Sequence, residues 1–158
     1  MDLLPLFEWF YVTPVGETIR NSVWMFPVIE AFHLIGLGVI GGAILLVDLR
    51  LLGVGLSNQP VARLSADAEP WLLGALALMF ASGIPIFLSE ATKAYYSYAF
   101  WIKMTCLFLA LIFTFTIRRQ VTQNGLAIGR PPLAKLTALI SLALWFGVAW
   151  GGRWIGFS

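Results

Sequence analysis

Glu30 and His33 are the residues of this chain whose types and spacing are best suited to chemistry. His33 is the only histidine in the sequence, and it lies inside a long apolar run with Glu30 three residues before it. An ionisable side chain at bilayer depth costs roughly 3 kcal/mol on insertion scales, so its presence there indicates a function by default. A neutral imidazole can bind a metal or carry a proton, and a carboxylate one helical turn away can tune either activity.

The first interpretation makes His33 the axial ligand of a haem b held between helices. Neutral imidazole binds haem iron, and the cores of helix bundles house cofactors. Glu30 would then tune the iron ligand from one turn away. Because the sequence has no second histidine, the sixth iron position would be open or filled by water, methionine, lysine or a histidine of another subunit. Met79 is the methionine whose depth best matches His33. The predicted function is an electron-transfer or haem-linked membrane subunit.

Two other interpretations of these residues stay open. Asp48 lies on the same helix face as Glu30 and His33 when span one is drawn as a helical wheel. The three side chains could therefore form a proton or ion path across the membrane without any cofactor. Alternatively, the polar groups only fix the packing of a structural oligomer or accessory subunit. The Glu-x-x-His spacing also occurs in di-iron bundles, but the other apolar runs supply no carboxylate at this depth.

Enzymatic activity is left open by the sequence, because no catalytic constellation is visible. We find no nucleophile paired with a base, no phosphate-binding glycine loop and no paired carboxylates at one depth. The net charge of +2 is too small to indicate a nucleic-acid partner. The expected partners are instead the lipid bilayer and either a second copy of the chain or a membrane redox partner.

The elements that must position these residues are membrane-spanning helices. Hydrophobic residues make up 59% of the chain and charged residues only 11%, which is typical of integral membrane proteins. Four continuous apolar runs are long enough to cross a hydrocarbon core of about 30 Å as helices. We therefore predict an all-α, integral membrane four-helix bundle formed by one domain over residues 1–158. The predicted spans cover about 23–47, 71–88, 100–117 and 133–150, after an interfacial segment over 1–22 that mixes aromatic and acidic residues.

The distribution of basic residues predicts the orientation. The loops after spans one and three carry more arginine and lysine than the other side, and most of this excess lies in one loop without any acidic residue. By the positive-inside rule these loops are cytoplasmic and both termini are periplasmic, in a bacterial inner membrane. The basic residues of the acid-free loop are Arg118, Arg119, Arg130 and Lys135.

Small residues indicate where helices approach one another closely. Gly38 and Gly42 form a small-xxx-small pair on the side of span one opposite His33, which suits contact with another helix or another subunit. Gly147 and Gly151 belong to a line of small residues in span four that suits tight packing. Cys106 lies inside span three, where packing is its expected role.

Charged residues near the predicted outer face form a second candidate region. Lys103 opens span three, and its ammonium group either reaches the headgroups or pairs with Glu90 or with the propionates of a bound ligand. Glu90, Lys93 and Arg153 lie beside several tyrosines at this level. We predict that these three residues form an outer rim that could receive an anionic headgroup, a quinone head or a partner protein.

Three stretches of the chain resemble an uncharacterised bacterial family of four-span membrane proteins: EAFHLIGLGVIGGAILLVDLRLLG, FLSEATKAYYSYAFWIKM and GGRWIGF. That resemblance implies the fold and the bacterial inner membrane rather than an activity. More distantly, a histidine early in a glycine-rich span and a lysine opening a later span are similar to the copper resistance D membrane domain and to the four-helix haem-binding protoporphyrinogen oxidase. This second resemblance implies that His33 is a haem or metal ligand and that Lys103 is a nearby functional cation.

Overall fold

The chain forms an all-α bundle, as predicted. The structure, a computed structural model, describes residues 3–55, 58–124 and 130–156, and these residues contain no β-strand. Two short helices, α1 (Leu4–Tyr11) and α2 (Pro14–Asn21), precede the bundle, and the short helix α5 (Ala91–Tyr96) lies between its second and third long helices. The remaining elements are α3 (Met25–Leu52), α4 (Val61–Ser89), α6 (Tyr98–Phe113), a π-helical turn (Thr114–Arg118), α7 (Arg119–Gln123) and α8 (Pro131–Ile155).

Four helical stretches are long and apolar enough to cross a membrane. Except at the start of α3, which begins two residues after the predicted position 23, they extend beyond the predicted apolar runs because neighbouring residues continue the same helices. The largest difference is in α4, which begins ten residues before the predicted start at position 71. The four stretches are Met25–Leu52, Val61–Ser89, Tyr98–Gln123 and Pro131–Ile155.

Local sequence signals determine where these helices begin and end. The side chain of Thr13 accepts a hydrogen bond from the backbone N–H of Gly16 at 3.4 Å, and Pro14 occupies the first turn of α2. Gly53 ends α3 with a φ of 82°, a left-handed conformation that glycine adopts without a steric penalty. Pro131 opens α8, where its missing N–H would have no helical partner in any case.

The bundle has a continuous apolar middle and a polar group near each end. Helix α3 packs against α4 and α8, and α8 packs against α6. We call the end of the bundle where α3 begins the His end and the opposite end the Asp end, after His33 and Asp48. These two residues are fifteen positions apart on α3, or about 22 Å along the helix axis. The core between the two ends is formed by Ile40, Ile44, Leu72, Leu76, Trp145 and Val148.

The N-terminal segment, predicted to be interfacial, folds into two helices that pack on the His end. Phe7 of α1 is buried, and its ring meets the ring of Phe87 edge-on at 5.5 Å and that of Phe100 at 6.2 Å. Phe87 and Phe100 stack on each other at 5.7 Å. This aromatic cluster joins α1, α4 and α6 one helical turn beyond Ser82 and Lys103. Helix α1 therefore covers the His end of the bundle.

Candidate functional site

His33 is held in a defined orientation by α4. Its Nδ1 lies 2.9 Å from Oγ of Ser82, and the Ser82 hydroxyl donates to the backbone oxygen of Leu78 at 2.7 Å. A hydroxyl has a single hydrogen, so the Ser82 oxygen accepts a hydrogen bond from Nδ1–H of the ring. The proton of the neutral imidazole is thereby assigned to Nδ1. In this tautomer Nε2 keeps its lone pair.

Gly83 makes this approach of α4 to the imidazole possible. A β-carbon at position 83 would lie only 3.1 Å from Cε1 of His33. The same helix interface is tight one turn further along, where a β-carbon at Gly36 would lie 3.1 Å from Cγ of Met79. Met79 thus lies on the face of α4 that packs against α3, one turn from Ser82.

Lys103 brings a positive charge into the same half of the bundle. Its side chain is half-buried and lies within electrostatic range of His33. The lysine lies against two glycines of α8: its Cβ is 3.0 Å from where a β-carbon of Gly151 would stand, and its Nζ is 3.6 Å from the corresponding point at Gly152. Within residues 3–55, 58–124 and 130–156, Lys103 forms no ion pair, and so it is not paired with Glu90.

Glu30 makes no hydrogen bond with His33. Its side chain is exposed on α3, whereas the imidazole is half-buried against α4. In the described part of the chain Glu30 has no hydrogen bond or ion pair. The two residues lie on the same side of α3, but the neighbouring helices cover the helix at His33 and no longer cover it at Glu30.

The Asp end contains a buried ion pair that links α3 to the π-helical turn. Nε of Arg118 donates to Oδ1 of Asp48 at 2.8 Å, and the two side chains are 6% and 0% exposed. Arg118, grouped above with the loop charges, therefore lies inside the bundle. Ser141 of α8 stands beside Asp48. Oδ2 of Asp48 and the hydroxyl of Ser141 are both buried and make no close hydrogen bond in the described residues, so any hydrogen bond between these two side chains is a long one.

The π-helical turn is what places Arg118 in the interior. Thr114 and Arg118, its first and last residues, are both buried, and Thr114 accepts a hydrogen bond from Nε1 of Trp145 at 3.2 Å. Single π-helical turns inside α-helices are frequent at functional sites. Sequence reasoning missed Arg118 although a signal was present, since a lone Asp48 near the end of a span requires a cationic partner.

A small cleft reaches Arg118 from the Asp end. It has a volume of about 20 Å³, enough for one water molecule. Glu69 closes its rim by accepting from Arg119 at 3.3 Å and from Gln123 at 3.0 Å. Its polar lining residues are Ser65, Glu69, Thr114, Arg118, Arg119 and Gln123.

The polar groups of the two ends are separated by apolar side chains. Between His33 and Asp48, the buried residues of α3 are Gly36, Ile40, Ala43, Ile44 and Val47. The sequence-predicted residues Glu30, His33 and Asp48 are therefore not linked by a chain of hydrogen bonds in the described residues.

The predicted packing glycines fall into two groups. Gly147 lies against α6, where an added β-carbon would stand 2.7 Å from Sγ of Cys106, and Gly151 lies against Lys103 and the carbonyl oxygen of Ala99. Gly38 and Gly42 are exposed, with no atom of the described chain within 4 Å of an added β-carbon. The second pair therefore faces away from the bundle.

The outer-rim residues lie at the His end. Glu90 stands at the junction of α4 and α5 and is partly buried, whereas Lys93 and Arg153 are exposed. The tyrosines of this level border an open hollow with Leu3 and Trp101. The rim and the His33 site therefore occupy the same end of the molecule.

No cluster of three or more histidine, cysteine, aspartate or glutamate side chains suited to a metal ion occurs in the described ranges. A di-iron or other all-protein metal site is therefore not assembled there.

Comparison with protein families decides the family of the chain. The model of DUF6644, a family of unknown function, matches residues 6–158. The chain belongs to DUF6644. A search of curated proteins and a search of solved structures gave no match. The resemblance to the copper resistance D domain and to protoporphyrinogen oxidase therefore stays a prediction for this DUF6644 member.

Proposed function

We propose that this DUF6644 member is a bacterial inner-membrane protein that binds haem b through Nε2 of His33 and serves as an electron-transfer or haem-linked subunit. The observation that carries the proposal is the hydrogen bond between His33 and Ser82. Histidines that bind metals donate their other ring N–H to a fixed acceptor, which sets the tautomer and the orientation of the ring. Ser82 supplies such an acceptor and leaves Nε2 as the free base.

The donor set fits haem better than a bare metal ion. Haem needs one protein nitrogen, because the porphyrin supplies four, and the chain offers a single histidine in the bundle. When bound, haem supplies one-electron redox chemistry. The chain would hold the imidazole through Ser82, and the apolar side chains below His33 would exclude water. Met79, the methionine whose depth best matches His33, packs against Gly36 of α3 and is not assigned as a ligand here.

Orientation and the role of Glu30 are part of the proposal. The basic residues Arg119, Arg130 and Lys135 belong to the Asp end, which we assign to the cytoplasm, so both termini and the His33 site face the periplasmic side. Glu30 would act on a bound haem only through its charge, because it does not touch His33. A cofactor-free ion path is less well supported, since apolar side chains separate His33 from Asp48.

The test is a titration of the haem-free protein in detergent with hemin, followed by its Soret band. We expect a saturable band with wild type and with Lys93→Ala, a control that removes a charge from the rim, and none with His33→Ala. Added imidazole should restore the band in His33→Ala if that variant is folded, since imidazole can occupy the vacated position. Equal titrations of wild type and His33→Ala would refute the ligand assignment.

A further inference from the structure

An open hollow at the His end has walls made almost entirely of aromatic side chains. It has a volume of about 410 Å³ and is lined by Leu3, Tyr95, Tyr96, Tyr98 and Trp101. We call it the aromatic hollow. Sites for small molecules typically measure about 300–1,000 Å³. The aromatic hollow is therefore large enough for a ligand the size of one substituted ring.

The aromatic hollow lies where two spans end. Helix α4 ends at Ser89, α6 begins at Tyr98, and the short helix α5 between them carries Tyr95 and Tyr96. Tyrosine and tryptophan are enriched at this level of a membrane protein, where the hydrocarbon core meets the headgroups. A ligand with a polar head and an apolar tail reaches this level without leaving the bilayer.

Two walls of the aromatic hollow are held in place by contacts behind them. Nε1 of Trp101 donates to the backbone oxygen of Tyr95 at 3.0 Å, so the indole offers a ligand its ring rather than its N–H. The rings of Tyr95 and Trp101 lie 5.3 and 5.8 Å from the buried ring of Phe7. Walls that are fixed before binding lower the free-energy cost of binding a ligand.

The other two aromatic walls are largely uncovered. Tyr96 and Tyr98 are 73% and 81% exposed. Their hydroxyl groups make no hydrogen bond within residues 3–55, 58–124 and 130–156. A tyrosine hydroxyl can donate a hydrogen bond to a carbonyl oxygen, and a tyrosine ring can stack on another ring. These two residues therefore offer a ligand both hydrogen bonds and ring contacts.

The lining distinguishes among the three ligands that the sequence suggests for the outer rim. No charged side chain of the described chain lines the aromatic hollow, so it lacks the cation that binds an anionic headgroup. Its concave shape and aromatic walls are typical of a small-molecule site rather than of a surface for a partner protein. A quinone head fits best, because it is neutral and planar and its two carbonyl oxygens accept hydrogen bonds.

We propose that the aromatic hollow binds the head ring of a membrane quinone. The ring stacks on the aromatic walls, a carbonyl oxygen accepts a hydrogen bond from Tyr96 or Tyr98, and the apolar tail extends into the lipid. The inference goes beyond the proposed function, since the aromatic hollow and His33 share no lining residue. It stands whether or not the chain binds haem.

The test is photolabelling of the full-length, haem-free protein with a short-tailed azidoquinone in phosphatidylcholine nanodiscs, with the labelled residues mapped by mass spectrometry. We expect saturable labelling within residues 95–101 that excess decylubiquinone prevents. Tyr96→Ala combined with Tyr98→Ala should weaken quinone binding about 10-fold, because two ring contacts are lost. Trp9→Ala is the matched control and should change nothing, since Trp9 is an exposed aromatic residue outside the hollow.

A milder variant separates the hydroxyl groups from the rings. Tyr96→Phe combined with Tyr98→Phe keeps both rings and should weaken quinone binding less than the alanine pair does. Equal quinone affinities of wild type and both double variants would overturn the proposal, as would labelling that is not saturable or that lies outside residues 95–101. Labelling that disappears when phosphatidylglycerol replaces phosphatidylcholine would assign the hollow to anionic lipid headgroups and would also overturn it.

Discussion

Removing Arg118 tests whether this residue is the buried charged partner of Asp48 at the Asp end. Arg118→Met keeps the length of the side chain but leaves the carboxylate of Asp48 without its charged partner, and Asp48 is fully buried. Breaking a buried ion pair by removing one partner costs about 3–5 kcal/mol, because the remaining charge stays in an apolar environment. We expect a loss of this size in the free energy of unfolding.

The double variant provides the matched control. Asp48→Leu combined with Arg118→Met replaces the ion pair by two apolar side chains, and such replacements are often neutral or stabilising. The free energy of unfolding of the double variant should therefore be within about 1 kcal/mol of the wild-type value, or higher. Arg119→Met is a second control, because the Arg119 side chain is 53% exposed and its pair with Glu69 should contribute less than about 1 kcal/mol.

The assay is unfolding by SDS in mixed micelles, followed by tryptophan fluorescence and repeated with each variant at one lipid-to-detergent ratio. The chain has seven tryptophans, so the fluorescence follows unfolding of the whole bundle, including Trp145, which donates to Thr114 of the π-helical turn. A cost for Arg118→Met no larger than that for Arg119→Met would contradict the buried placement of Arg118. If the double variant lost as much unfolding free energy as Arg118→Met and Asp48→Leu lose in total when made separately, the pairing of Arg118 with Asp48 would be contradicted.

Three further predictions concern the His end and the helix contacts. Ser82→Ala should weaken hemin binding at least 10-fold, because residues that orient a metal ligand typically contribute this much to affinity. The Soret band that depends on His33 should still form. An unchanged dissociation constant for hemin would count against the orienting role of Ser82. Gly38→Leu with Gly42→Leu should leave the unfolding free energy nearly unchanged, because both positions face away from the bundle. If they face a second copy, light scattering should show a smaller detergent-corrected mass than wild type, and an equal mass would exclude that contact. Gly16→Ala should destabilise the fold by about 1–3 kcal/mol in the SDS assay, because its β-carbon would lie 2.5 Å from a backbone oxygen of α4; a smaller loss would show that α2 can shift.

Much of the fold could be predicted because the bilayer restricts the choices. Backbone polar groups in a hydrocarbon core must be satisfied within the segment, so four apolar runs of span length could only be helices. The ends of these helices were harder to predict. The mixed stretch from 61 to 70, which carries the charged residues Arg63, Asp67 and Glu69, continues α4 because a helix can extend beyond the hydrocarbon core.

The candidate site could be predicted only in part. His33 was identified from its chemistry and depth, which are properties of the sequence. Its partner Ser82 is 49 positions away, and the contact depends on the register between α3 and α4, which no local pattern records. Glu30 shows the same limit: the helical wheel gives its angle relative to His33 but not where the neighbouring helices stop covering α3.

Arg118 was misjudged for a related reason. A basic residue at the end of a span is ordinarily a loop charge that follows the positive-inside rule. The π-helical turn at Thr114–Arg118 changes which residues of the third span face inward, and the sequence has no clear signal for such a turn. Only the need of Asp48 for a partner could have indicated the pair.

The most direct test of the haem proposal is the visible spectrum of the protein purified from haem-replete cells, recorded oxidised and then after reduction with dithionite. The account predicts a Soret band that shifts on reduction and that is absent from His33→Ala purified in parallel. A folded wild-type protein that is colourless, or a His33→Ala variant that keeps the same band, would contradict it.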